Sequence, residues 1–117
     1  MSTPLLTTLS TRQRLARTAL SAALAVDGVV AGSAGRQRTH VTAAGPELLQ
    51  GILVVAQPGD RYSVSLLVIC RPVPLLPLAE HIRAQVHQAA EAAGLADRLG
   101  PISVRIDDIV EPTERVP

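Results

Sequence analysis

Ten residues, Arg61 to Cys70, leave this chain few folds to choose from. Tyr62, Val64, Leu66, Val68 and Cys70 fall on one face of a period-2 strand, and Ser63, Ser65, Leu67 and Ile69 on the other. From Leu66 to Cys70 the alternation becomes an unbroken apolar run, and a strand apolar on both faces is usually covered on both. Pro72, Pro74 and Pro77 then forbid a continuing central strand and force a corner, with Pro77 suited to the first turn of a helix. Leu78, Ile82, Val86, Ala89 and Ala93 follow at spacings of four and three, one stripe of an α-helix. Glu80, Arg83, His87 and Glu91 lie off that stripe, and Gly94 is a natural stop. After a Gly100-Pro101 turn, Ile102, Val104 and Ile106 alternate with Ser103, Arg105 and Asp107, a strand with one wet face.

Upstream, Ser10 and Gln13 have capping-box spacing, and Leu15, Ala16, Ala19, Leu20, Ala23 and Leu24 continue as a helix to about Val26, ended by Asp27-Gly28. An acid-poor start bearing Arg12, Arg14 and Arg17 also suits an organellar transit peptide, but the capping box and glycine stop belong to a folded helix. Gly28 to Gln37 reads as a glycine-rich connecting loop. Its Gly32-Ser33-Ala34-Gly35 matches the GxxG clamp of a KH-type RNA module, although that clamp joins two helices and this run leads toward a strand. Arg38 to Ala43 is a short strand candidate. Leu49 to Ala56 is a firmer one, joined to the Arg61 strand by a Gln57-Pro58-Gly59-Asp60 turn.

These elements give an α/β (more narrowly α+β) two-layer sandwich of order α-β-β-α-β with an optional extra short strand. A three- to four-stranded mixed sheet carries its helices on one face. A single domain spans residues 10–110 between flexible tails at 1–9 and 111–117. A chain of 117 residues can bury about 65 % of its unfolded surface. With one tyrosine and no phenylalanine or tryptophan, the core is aliphatic, and stacking platforms for bases are missing. A net charge of +1 argues against a dedicated nucleic-acid binder, and no apolar run approaches the ~20 residues of a membrane span.

Candidates for chemistry are few. His81 and His87 are six apart and share no helix face, so no metal pair forms, and each of His40, His81 and His87 reads as a surface residue. Asp107 and Asp108 point to opposite faces of a strand and suit an edge better than an acid–base pair. Ser63 and Ser65 have no histidine near them in sequence, and Cys70 reads as a buried small hydrophobe. No catalytic residue, cofactor or metal ligand is expected.

Three stretches carry a resemblance: Ala25-Val26-Asp27-Gly28-Val29, Gln50-Gly51-Ile52-Leu53-Val54, and Val68-Ile69-Cys70-Arg71-Pro72-Val73-Pro74 leading into the Pro77 helix. Together with Leu76 to Val86 (LPLAEHIRAQV) and Ile102 to Ile109 (ISVRIDDI), they resemble the alkaline-shock, or envelope stress response, family of bacterial proteins. The family shows a "PGV" after its first helix and a strand ending in "YG". Here Asp27 stands in place of that proline, and Arg71-Pro72 in place of the YG. The resemblance implies a non-enzymatic, cytoplasmic protein that associates with itself and sits at the membrane through a separate small anchor protein. A KH-like RNA-binding module is the alternative.

Parity places Leu53, Val55, Leu67 and Ile69 on the sheet face turned away from the helices, a candidate protein interface with no cover within the chain. In the competing account the first helix crosses to that face and the patch is core.

Overall fold

The structure, a computed structural model, describes residues 9–111, so the tails expected at 1–9 and 111–117 lie almost wholly outside the described residues. The first helix, α1 (Thr11–Leu24), opens on the capping box: Gln13 N–H donates to Ser10 Oγ at 3.1 Å, and Ser10 N–H to Gln13 Oε1 at 3.1 Å. Five strands follow, β1 (Val29–Gly32), β2 (Val41–Ala44), β3 (Glu47–Gln50), β4 (Ile52–Gln57) and β5 (Arg61–Cys70). Helix α2 (Leu75–Ala92), a 3-10 turn (Ala96–Arg98) and β6 (Leu99–Ile109) complete the order.

Strand β5 is the centre of a four-stranded mixed sheet. Along one side β4 pairs antiparallel with residues Arg61 to Leu66, and β1 pairs antiparallel with Val68 to Cys70. Leu67 hands over between them, its N–H donating to Gly51 O at 2.9 Å and its carbonyl accepting from Ser33 N–H at 2.9 Å. Two strands thus lie end to end along one edge of a third. Where they meet, a Cβ on Gly51 would stand 2.6 Å from Gly32 Cα, and a Cβ on Gly32 would collide with the Gln50 carbonyl. Gly51 also has φ +106°, which side-chain-bearing residues rarely adopt, so glycine is required there twice over. Along the other side β6 runs parallel to β5, and α2 supplies the crossover that parallel strands need.

Both helices pack on the same face. Leu15, Ala19 and Leu20 of α1 and Leu78, Ile82 and Val86 of α2 share one core with Ile52, Val54, Val64, Leu66, Val68 and Cys70. Burying each large side chain contributes about 1.5–3 kcal/mol. The α+β sandwich with helices on one face therefore stands, and the account in which α1 crosses to the rear does not.

Several local readings are corrected. The Gly28–Gln37 loop contains β1, whose backbone groups find partners on β5. The Leu49–Ala56 strand is two strands: Gly51 breaks it, β4 joins the main sheet, and β3 turns back on β2 as a separate two-stranded sheet. The short strand expected at 38–43 lies at Val41–Ala44. Helix α2 begins at Leu75, so Pro77 falls inside its first turn, and Ala90 rather than Ala89 completes the buried stripe. It ends as expected at Gly94 (φ +75°), with Leu95 N–H reaching back to Ala90 O at 2.8 Å, a Schellman closure.

Candidate functional site

The rear face of the sheet, away from the helices, is set by the pairing register. Leu53 lies beside Ser65, which lies beside Ser103, and Val55 lies beside Ser63. The next row holds Leu67 next to Arg105, and the row beyond holds Ala31, Ile69 and Asp108. The middle of this face carries serines, and a loop from Ser33 to His40 lies across it.

That loop corrects the expectation of an uncovered patch. Leu67 is only 6 % exposed, and a Cβ on Gly35 would stand 3.1 Å from its Cδ2. Leu53 and Ile69 are half-buried, while Val55 remains 44 % exposed. The four residues share a face as parity requires, but Leu67 is core, and it separates Ile69 from the Leu53–Val55 pair.

His40 pins the loop. It is 9 % exposed rather than a surface residue, and its Nε2 lies 3.0 Å from Ser65 Oγ, with Thr39 Oγ1 3.3 Å from Nδ1. Its backbone is committed as well, N–H to Ala34 O at 3.1 Å and carbonyl to Gly51 N–H at 2.8 Å. Burial lowers the His40 pKa below its ordinary 6.5, the Arg105 charge lowers it further, and Asp107 pulls the other way. The imidazole is therefore neutral near pH 7. Nothing in the local sequence announces the His40–Ser65 contact, because 25 residues separate the pair.

A cleft of about 250 Å³ opens beside His40, lined by Arg36, Gln37, Thr39, Arg105 and Asp107. A serine on a histidine is the start of a nucleophile–base pair, but the ring's other nitrogen meets a hydroxyl, not a carboxylate. Asp107 is engaged elsewhere, accepting from Ser33 Oγ at 2.7 Å. The arrangement fastens a loop to a sheet. The GxxG run leaves β1 and enters this loop, without the two flanking helices of a KH clamp.

The other candidates sit largely where expected. Cys70 is fully buried and its thiol pKa is raised by that burial, whereas His81 and His87 are exposed. Among the described residues no three His, Cys, Asp or Glu side chains gather as a metal site. Asp108 accepts from its neighbour Ile109 N–H at 2.8 Å, next to a register shift at Asp107 that interrupts the strand alternation. Asp27 and Arg71 form an ion pair at 2.7 Å. Exposed as they are, the pair adds little stability.

The two outer edges of the sheet differ. On β4, Leu53 and Val55 face β5, which turns the main-chain groups of Ile52 and Val54 outward. Thr42 Oγ1 donates to Ile52 O at 2.7 Å and Arg12 Nε to Val54 O at 2.9 Å. On β6 the parallel register sets Val104 beside Leu66, whose own groups face β6. The alternation then turns Ser103 and Arg105 inward and Ile102, Val104 and Ile106 outward. Side chains bond the main chain of this strand only near its ends among the described residues, Arg61 Nη1 on Leu99 O at 2.8 Å and Asp108 on Ile109 N–H. Among the described residues no side chain bonds the outward groups between. The side chains of Ile102, Val104 and Ile106 pack against the core yet stay half-buried.

Comparison with protein-family models and with curated proteins finds no match. Among solved structures the chain is similar to forms of MamM CTD. A single-substitution form has TM-score 0.46 at 18 % identity, over 85 % of this chain and 99 % of that one. A second has TM-score 0.45 at 18 % identity, over 82 % and 93 %. A nickel form has TM-score 0.44 at 17 % identity, over 82 % and 96 %. Likeness of this extent carries no argument, and the architecture rests on the pairing described above.

Proposed function

We propose that the chain is a non-enzymatic self-association module of the envelope stress response type, held at the cytoplasmic face of the membrane by a separate anchor protein. The observation that carries the self-association is the open outer edge of β6, with its row of half-covered aliphatic side chains. An unpaired strand edge is a template for another strand, and proteins that stay monomeric usually blunt it. Here two outward carbonyls of the β4 edge are covered, and among the described residues nothing covers the outward groups of Ile102, Val104 and Ile106.

The envelope assignment draws on the sequence resemblance. Asp27 and Arg71, two of the three positions that depart from the family pattern, meet as an ion pair. No helix among the described residues is long and apolar enough to cross a membrane, and in this reading the anchor protein supplies attachment.

Sedimentation of the full chain over a concentration series tests the association. A mass rising above the 12.3 kDa of one chain is expected, and a monomer at the highest soluble concentration would overturn it. Crosslinking in the native host tests the envelope role. Co-recovery with a membrane protein is expected, and recovery only with soluble proteins, under envelope stress as well as without it, counts against that role.

A further inference from the structure

The open edge of β6 admits one register better than any other, and that register names its partner. Three residues, Ile102, Val104 and Ile106, turn their N–H and C=O groups outward between a register shift near Pro101 and a second at Asp107. Proline offers no N–H, and an extra residue disrupts a ladder, so the regular edge is five residues long and centred on Val104.

We infer that β6 pairs antiparallel with β6 of a second copy of this chain about a two-fold axis at Val104, joining two four-stranded sheets into one. This deepens the self-association reading and rests on it. In this register Val104 faces Val104 of the second copy, and Ile102 faces Ile106 in both directions. Every outward N–H and C=O on the regular edge gains a partner, because antiparallel strands exchange two bonds at each hydrogen-bonded pair. Neighbouring registers are poorer. A two-fold at Arg105 sets like charges directly opposite each other, which destabilises a strand pair. A two-fold at Ser103 pairs Ile102 with Val104 and leaves the groups of Ile106 unmatched. A two-fold at Ile106 sets Val104 against the irregular stretch at Asp108.

Side chains agree with the backbone. On the helix side, the half-buried Ile102, Val104 and Ile106 would cover the same residues of the second copy. On the rear side, Arg105 would lie opposite Ser103, a small neutral residue that accommodates it. A two-fold makes such a surface self-complementary, and the assembly closes at two chains through this edge.

Charge at the Ser103–Arg105 pair supplies the test. Ser103 is exposed, so Ser103→Arg leaves the fold intact, which circular dichroism checks. The substitution sets the introduced guanidinium against Arg105 of the second copy, twice per interface. Sedimentation equilibrium should show dimerisation weakened by about tenfold. The double variant S103R/R105E places opposite charges at both pairs and should restore association to the wild-type level or tighter. A wild-type chain that sediments as a monomer overturns both this inference and the self-association reading. A wild-type dimer that Ser103→Arg leaves unchanged, or a double variant that fails to recover, overturns the β6 pairing alone and leaves association to another surface.

Discussion

The two long edges of one sheet show how differently a chain can treat the same liability. Strand β4 ends the sheet on one side, and two of its outward carbonyls, those of Ile52 and Val54, are closed by a hydroxyl from β2 and a guanidinium from α1. Strand β6 ends it on the other, and between Leu99 and Ile109 its outward groups have no such cover among the described residues. Both strands turn aliphatic side chains toward the helices, so hydrophobic pattern alone does not distinguish them. What distinguishes them is whether another part of the same chain arrives to satisfy the backbone. An edge closed from within has no use for a second chain, while an edge left open gains from one.

The comparison can be broken most severely at Gly51, where β1 and β4 abut on the closed side. Gly51→Ala forces a Cβ into Gly32 and into a backbone conformation that alanine resists, and it should cost on the order of 3 kcal/mol in urea unfolding. A loss under half of that would show that the junction can relax. Next, Thr42→Val keeps shape but leaves the buried Ile52 carbonyl unpaired on that side. It should cost about 1–2 kcal/mol with the fold retained. A neutral result would mean that water reaches that edge. Arg12→Met removes the guanidinium from Val54 O at a smaller cost, about 0.5–1 kcal/mol. Its more telling effect is a second open edge, read as larger assemblies in sedimentation; unchanged mass would show that Thr42 alone closes the edge.

The smallest expected effect is a pH dependence on the closed side, where His40 holds Gly51. Its folded pKa is depressed, so between the two values the unfolded chain binds more protons than the folded one. The contribution is therefore whole above the unfolded value of 6.5 and is lost as pH falls through the lower folded value. His40→Gln should abolish that slope in acid. An identical slope in the variant would assign it to carboxylates instead.

Much of the scaffold was legible because it is local. Period-2 alternation marked β5 and β6, a stripe at spacings of four and three marked α2, and Ser10 with Gln13 marked the start of α1. Each signal lies within a few residues of the element it specifies, where backbone stereochemistry and side-chain direction decide the outcome. The candidate site was legible only as parity. Leu53, Val55, Leu67 and Ile69 do share a face, but whether a face is covered depends on a segment that arrives from elsewhere. The loop over Leu67 read as a mere connection, and His40 read as a surface residue, since no local pattern encodes a contact 25 residues away.

By itself, then, the sequence determined the two helices, the long strands β5 and β6 and which side chains can share a face, because those follow from short-range geometry. The splitting of one apolar run at Gly51, the burial of Leu67 beneath a loop, and the closing of one sheet edge but not the other were decided by the tertiary structure. The guanidinium that caps Val54 comes from a residue 42 positions earlier. Such a contact exists only once the chain has packed, and it is where packing leaves the backbone unsatisfied that a second chain can bind.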